Sequence, residues 1–360
     1  MNISPISQER LFNAKLGYTS RNLPIESVTT LLHGDGITPN PGDMVLARVT
    51  AIGQQHELEL AHGRPSALSI GDEMILCFGH SARPFEAYVP DDLQSCHLAA
   101  PAGIAAVAKS RLASAADTLT AIQPIGLLAD CNQRCINLKN IALPKLVSLF
   151  PHPFTIAIVG SSMKAGRTTA TATLIRSLTQ AGYQVGAAKV SGTGSGRNTW
   201  LLMDAGAKFA LDFTHAGFPS THQILPEQFD FILETLITHL SVARMDVIVL
   251  EISDDLLDQE ATTVLNSKIF AKIVDGIVFA ARDAMNAIAG ADILKCQGLP
   301  IMAISGRLTE SPSMIDETAC ATGLPVLDKA GLCSDGVIDV LQIPLQTPSR
   351  KNQSAGNALH

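Results

Sequence analysis

The residues of this chain best suited to chemistry fall in one run, GSSMKAGRTT, from Gly160 to Thr169. The run follows the apolar stretch Ile156-Ala157-Ile158-Val159 and leads into the apolar-periodic TTATATLIRSLTQAG. Strand, glycine loop and helix in that order make a phosphate-binding layout. Glycines relax backbone sterics, so successive N–H groups can turn toward an anion. The helix that follows adds the positive end of its dipole. The expected phosphate-binding residues are therefore Gly160, Ser161, Ser162, Met163, Lys164, Ala165, Gly166, Arg167, Thr168 and Thr169. The Thr168 hydroxyl is placed to ligate a Mg2+ that bridges two phosphates. Two details depart from the commonest spacing: five residues separate Gly160 from Gly166, and Arg167 stands where lysine is usual. A guanidinium keeps the charge but presents it as a planar fork, not a compact ammonium. Lys164, in the same loop, can supply the ammonium.

Further candidates lie downstream. Glu251 ends the apolar run of DVIVLEI, and a carboxylate at the carboxyl end of a parallel strand suits Mg2+ or water orientation. Asp254 and Asp255 follow as weaker candidates. Lys189 ends QVGAAKVSG, placed to reach a substrate oxygen. Asp212, in LDFTHAGFPSTH, is a candidate to hold the metal through water or to orient a substrate amine; His215 and His222 in the same segment are candidate bases. The run SGTGSGRNT, with Arg197, is either a loop closing over an anion or a flexible connection. The pair Cys131 and Cys135 in CNQRC has no second ligand pair near it, so a structural zinc is not expected. His33 and His80 read as single turn or rim residues.

The elements that must position these groups divide the chain in two. Residues 1–150 read as a mostly β, barrel-like domain, from the alternation in GDMVLARVTAIG and HELELAHG and the short apolar runs GDEMILCFG and FEAYVP. A more helical patch, AGIAAVAKSRLASA, follows. LFPHPF is the expected linker. Over 151–345 short apolar strands (TIAIVG, QVGAAKVSG, DVIVLEI, DGIVFAA, PIMAIS, LPVLD) alternate with helical patterns. That rhythm predicts an α/β fold with a parallel sheet covered on both faces. Residues 346–360 read as a disordered tail.

With 46% hydrophobic and 16% charged residues, the chain has ample material for two packed cores. A net charge of −7 gives no general reason to expect nucleic acid or an acidic membrane surface as partner. Seven scattered cysteines, an odd number, argue against a disulfide framework and for a reducing compartment. The polar N-terminus has no apolar signal core, and no apolar run approaches the ~20 residues of a membrane helix. A cytoplasmic location is expected.

Taken together, GSSMKAGRTT and AAKVSGTGSG resemble the dethiobiotin synthetase-like branch of P-loop proteins. They are also similar to a related family of P-loop domains, some of them linked to D-glutamate N-acetylation. The resemblance covers about residues 155–330 and leaves the N-terminal domain aside. It implies a P-loop NTPase-like domain in which Gly160, Gly166 and Thr168 are the loop glycines and the metal-binding threonine. Lys189 then matches a lysine approaching the reacting carboxyl group, and Glu251 the acid that helps hold Mg2+. A homodimer is implied as well. Departures accompany these matches: Arg167 is not lysine, ISDD follows Glu251 where glycine-rich sequence is usual, and AISGRL lacks the asparagine that often reads adenine.

Three functions are then open. One is an ATP- and Mg2+-dependent synthetase or kinase acting on a small carboxylate or amino acid, with Lys189, Arg167, Lys164 and Asp212 as catalytic groups. Another is an N-acyltransferase whose loop cradles the diphosphate of acetyl-CoA. The third is a non-catalytic nucleotide-binding regulator.

Overall fold

A computed structural model describes residues 1–82, 86–108, 119–149, 151–334 and 336–345. The expected tail, the end of the AGIAAVAKSRLASA patch and part of FEAYVP lie outside the described residues.

The first sheet is built from β1 (Asn2–Pro5), β2 (Lys15–Leu16), β3 (Thr30–His33), β4 (Met44–Ala51), β7 (Glu73–Phe78), β8 (Ala87–Tyr88), β9 (Cys96–Ala100), β10 (Ile104–Ala108) and β11 (Ala121–Ala129). β5 (Glu57–Glu59) and β6 (Pro65–Ala67) form a separate hairpin. Within the large sheet the pairing closes on itself. β11 pairs with β4, β4 with β7, β7 with β10, β10 with β9, and β9 returns to β11. Closure removes the edges of these five strands and wraps an interior of Val45, Ala47, Met74, Leu76, Phe78, Leu98 and Ile122. The expected helical patch begins instead as β10. Ile104, Ala105 and Ala106 are all fully buried, with β10 held between β7 and β9. Small alanines fit that crowded position, and barrel closure overrides their helix propensity.

The second sheet has six strands, all parallel: β12 (Phe154–Gly160), β13 (Val185–Lys189), β14 (Phe209–Asp212), β15 (Val247–Asp255), β16 (Gly276–Ala280) and β17 (Ile301–Ser305). Their order is β14-β13-β15-β12-β16-β17. The expected strand LPVLD forms only an isolated bridge, Val326 to Ile304. Alternation along β12 sends its side chains to two cores. Ile156 and Ile158 pack with Leu174 and Leu178 of α2 (Arg167–Gln180); Ala157 and Val159 pack with Ile232 and Leu236 of α4 (Pro226–Val242). Helices on both faces bury β12 from Thr155 onward, which is why it reads as a continuous apolar run. The arrangement brings the carboxyl ends of β12, β13 and β15 to one edge, where open α/β sheets place ligands. Among the described residues no helix is long and apolar enough to cross a membrane.

Candidate phosphate site and the groups around it

β12 runs out at Gly160, and the loop to α2 is pinned on the β16–β17 side. Ser161 N–H donates to Ala280 O at 2.9 Å, and Arg307 N–H donates to Ala165 O at 2.9 Å. Gly166 sits at φ +97°, in the left-handed region that favours glycine, with Gly306 Cα 3.2 Å from where a Cβ would stand. Lys164 is also left-handed, at φ 63°. With these constraints the N–H groups of Met163, Lys164, Gly166, Arg167 and Thr168 make no backbone hydrogen bond among the described residues. Those of the first helical turn have no intrahelical acceptor by construction. The result is a cradle of free donors on a helix N-terminus, open to a cavity of about 610 Å3. Lys164, Thr168, Thr173, Arg307, Lys329 and Leu332 stand in its wall.

Arg167 does not occupy the position expected of it. Its side chain folds back over Gly160, where a Cβ would lie 2.3 Å from Arg167 Cδ. The guanidinium donates to Asp254 O and, at 2.9 Å, to Asp255 Oδ1. A planar fork suits this clamp between a carbonyl and a carboxylate. Arg167 is therefore a tie between the loop and the end of β15, and Lys164 is the loop's ammonium on the cavity side.

Thr168 and Glu251 meet as the sequence implied. Thr168 Oγ1 donates to Glu251 Oε1 at 3.3 Å, and Ser253 Oγ donates to the same oxygen at 3.3 Å. Glu251 is 3% exposed, and its Oε2 is buried with no hydrogen-bond partner among the described residues. Such an orphaned carboxylate oxygen is costly in a folded protein unless a cation completes it. No group of three or more His, Cys, Asp or Glu side chains clusters as a metal cage among the described residues. Mg2+ needs none, since it takes one or two protein oxygens plus phosphates and waters. The donor set fits that ion.

Lys189 ends β13 in register between Asp212 of β14 and Glu251 of β15. It is 6% exposed and lines a smaller cavity of about 200 Å3 with Gly192, Thr221, His222 and Asp254. Burial pushes the Asp254 carboxyl above the usual carboxylate range.

Asp212 is a correction. Expected as a catalytic group, it is saturated by structural partners. Oδ2 accepts from Tyr18 Oη at 2.8 Å, and Oδ1 accepts from Thr214 N–H at 3.0 Å and from the Thr214 hydroxyl. His215 Nδ1 lies 3.0 Å from Oδ1 and Arg21 Nη2 lies 3.4 Å from it. Burial alone would raise this carboxyl, but Arg21, His215 and Thr214 outweigh burial and hold it well below its ordinary range. Nothing in the sequence linked Tyr18 and Arg21 to this position; they arrive from the barrel.

The glycine-rich run also meets the barrel. Gly196 and Arg197, at the start of α3 (Gly196–Asp204), donate their N–H groups to the Glu59 carboxylate at the end of β5. Burial raises the Glu59 pKa; the two N–H groups act against it. Two N–H groups of this loop are thus taken by a carboxylate of the protein itself. His222, a candidate base in the sequence, pairs through Nδ1 with Glu260 Oε1 at 2.9 Å. Glu260 went unnoticed in the sequence. Cys131 and Cys135 are free thiols, and His80 packs edge-on against Tyr88.

No protein-family model matches the sequence, and no curated protein matches it. Solved structures do. The signal recognition particle 54 kDa protein from Aeropyrum pernix, in complex with GDP, is 18% identical over 53% of this chain and 46% of its own, with a TM-score of 0.36. A DUF1611 family protein from Anabaena variabilis is 14% identical over 53% of this chain and 57% of its own, with a TM-score of 0.38. Chloroplast FtsY from Physcomitrella patens is 14% identical over 57% and 70%, with a TM-score of 0.39. The chain thus spans about half the length of the first two. Nothing about its ligand or activity follows from these likenesses.

Proposed function

We propose that the chain is a Mg2+-dependent nucleoside-triphosphate enzyme of synthetase or kinase type, acting on a small carboxylate or amino acid. One observation carries this reading: the free N–H cradle at 163–168 stands beside a Thr168–Glu251 pair whose Oε2 lacks a partner. The cradle N–H groups hold the diphosphate, and Lys164 adds an ammonium. Thr168 and Glu251 would hold Mg2+, which would supply charge neutralisation at the phosphates. The rest of the cavity, lined by Thr173 and Leu332, takes the nucleoside. Lys189 faces the transferred group from the neighbouring strand and stabilises its developing charge. Catalysis in such a site comes from positioning and charge neutralisation. The sequence motifs shared with the dethiobiotin synthetase-like branch support the substrate class. Calorimetry with ATP and GTP, each with Mg2+, tests the binding; ADP or GDP release against a panel of carboxylates and amino acids tests turnover. No heat with either nucleotide would overturn the reading.

A second reading has its own support. Arg167 is turned onto Asp254 and Asp255, so no guanidinium from the loop covers a γ-phosphate. Arg307 and Lys329 add cations to the cavity wall. A coenzyme A thioester needs a diphosphate cradle and a further cationic contact for its third phosphate, but no γ-phosphoryl catalyst. Thermal stabilisation by acetyl-CoA and not by MgATP would select this acyltransferase.

A further inference from the structure

We propose that His222, oriented by Glu260, is the general base of an acceptor pocket for a small primary amine on the far side of β15 from the phosphate loop. This inference rests on the enzymatic reading above and holds for either the synthetase or the acyltransferase form.

The pocket is the cavity of about 200 Å3 walled by Lys189, Gly192, Thr221, His222, Asp254 and Glu260. At ~30 Å3 per water it has room for only a small molecule. His222 meets the geometric demands on a base. Nδ1 is held by Glu260 Oε1 at 2.9 Å, which fixes the ring and directs the lone pair to Nε2. Nε2 is buried with no hydrogen-bond partner among the described residues. The backbone anchors the residue from both sides. His222 N–H donates to Ser220 Oγ at 3.0 Å, and the adjacent Thr221 Oγ1 accepts from Gly192 N–H at 2.7 Å. A structural histidine so fixed would ordinarily satisfy both ring nitrogens.

The remaining wall selects the ligand. Asp254 Oδ2 is a second buried atom with no partner among the described residues. An amine N–H is the donor that both Asp254 Oδ2 and His222 Nε2 lack. Lys189, 6% exposed and lining the same cavity, is placed for a carboxylate or for the acyl oxygen under attack. The charged and titratable groups facing His222 are Glu260 on α5 (Gln259–Leu265), Asp254 on β15, Lys189 on β13 and His80 from the barrel. The pocket also communicates with the phosphate loop, because the Asp254 carbonyl is the acceptor of Arg167.

The step balances. The amine nitrogen forms a bond to the acyl carbon, and its proton passes to His222 Nε2. The bond from that carbon to its leaving group breaks, and phosphate (or a thiolate, for a coenzyme A thioester) departs with the electron pair. His222 then returns the proton to water.

The test uses the full chain. Two mixtures, MgATP with a small acyl donor acid and acetyl-CoA alone, are each offered a panel of amino acids and simple amines, and amide formation is read by mass spectrometry. With the amine that turns over, His222→Gln should lower kcat at least ~100-fold and abolish the acidic limb of the pH–rate profile. Glu260→Gln should lower kcat less and move that limb. Nucleotide or acetyl-CoA affinity should stay within twofold in both variants. The amine should also protect His222 of the wild-type chain from carbethoxylation. A kcat within threefold of wild type for His222→Gln, an unchanged limb, or an absence of both turnover and protection across the panel would overturn the base assignment. Loss of nucleotide and acetyl-CoA binding in the wild-type chain itself would overturn the underlying reading instead.

Discussion

Tyr18 Oη donates a 2.8 Å hydrogen bond to Asp212 Oδ2, across 194 residues of chain. It joins the barrel to the end of β14. Arg21 stacks 3.9 Å over the Tyr18 ring and reaches the same carboxylate. This cluster is the seam between the two sheets, and Glu59 of β5, accepting from Gly196 N–H at the start of α3, is a second stitch beside it. Asp212→Ala would leave Arg21, whose side chain is only 12% exposed, without its carboxylate. We expect a loss of about 3 kcal/mol or more. Tyr18→Phe removes one hydrogen bond to a charged, buried acceptor and should cost about 1.5–3 kcal/mol. Urea denaturation measures both; a loss below ~0.5 kcal/mol for Asp212→Ala would contradict the structural role.

Removing the Thr168 hydroxyl or the Glu251 charge should separate metal from nucleotide. Thr168→Ala and Glu251→Gln should each weaken MgATP binding at least ~10-fold while leaving binding in EDTA nearly unchanged. On the proposed function these two side chains serve the metal and not the phosphate cradle. Calorimetry with and without EDTA reads the difference, and equal losses in both conditions would refute it.

Lys164 and Arg167 should part company in the same assay. An ammonium on a phosphate is a charge-assisted contact of about 1.5–3 kcal/mol, so Lys164→Ala should weaken nucleotide binding by one to two decades. Arg167→Ala loses its clamp on Asp254 and Asp255. It should lower the melting temperature and change affinity less than fivefold. The reverse ranking would place the guanidinium on the phosphates after all.

The strand–loop–helix geometry of the candidate site was legible because its signal is local. A β-strand, two glycines and a helix lie in one run, and chain order fixes their geometry. The edge on which Glu251 stands was legible too, since it closes the apolar run of β15, although the strand itself continues to Asp255. Arg167 was misplaced because spacing along the chain does not show that Gly160 leaves a channel for its side chain. Asp212 was misread for a different reason: its partners Tyr18 and Arg21 come from another sheet, and no periodicity links them. No periodicity links Glu260 and His222 either, 38 residues apart. The strand at Ile104–Ala108 hid behind alanines that favour a helix until barrel closure decides otherwise.

Gly306 should be a test of how firmly the loop is held. It sits at φ +101°, and a Cβ there would lie 2.4 Å from Ala165 O and 2.7 Å from Ala281 N. Gly306→Ala should cost about 1–3 kcal/mol from backbone strain and break the Arg307–Ala165 hydrogen bond, so nucleotide affinity falls with stability. Gly298→Ala is the control. It has φ +70° but open space around it, so it should cost stability without touching affinity. Parallel melting and calorimetry on the two variants decide the point; equal affinities would show that the loop does not depend on this contact.

Acid should reveal the Asp212 seam. Arg21, His215 and Thr214 together overcome burial and hold the folded carboxyl below its ordinary value, about 3.9 in an unfolded chain. The native state therefore binds fewer protons than the unfolded state between those two values, so stability there rises with pH. The contribution of Asp212 is fully present above about pH 3.9 and is lost as the pH falls through the lower, folded value. Asp212→Asn cannot titrate. The difference in urea midpoint between wild type and Asp212→Asn should hold steady from pH 5 to pH 4 and shrink as the pH drops toward 2. A difference that instead vanishes above pH 4 would mean the carboxyl is not held low, and that Tyr18 and Arg21 do not grip it as the geometry indicates.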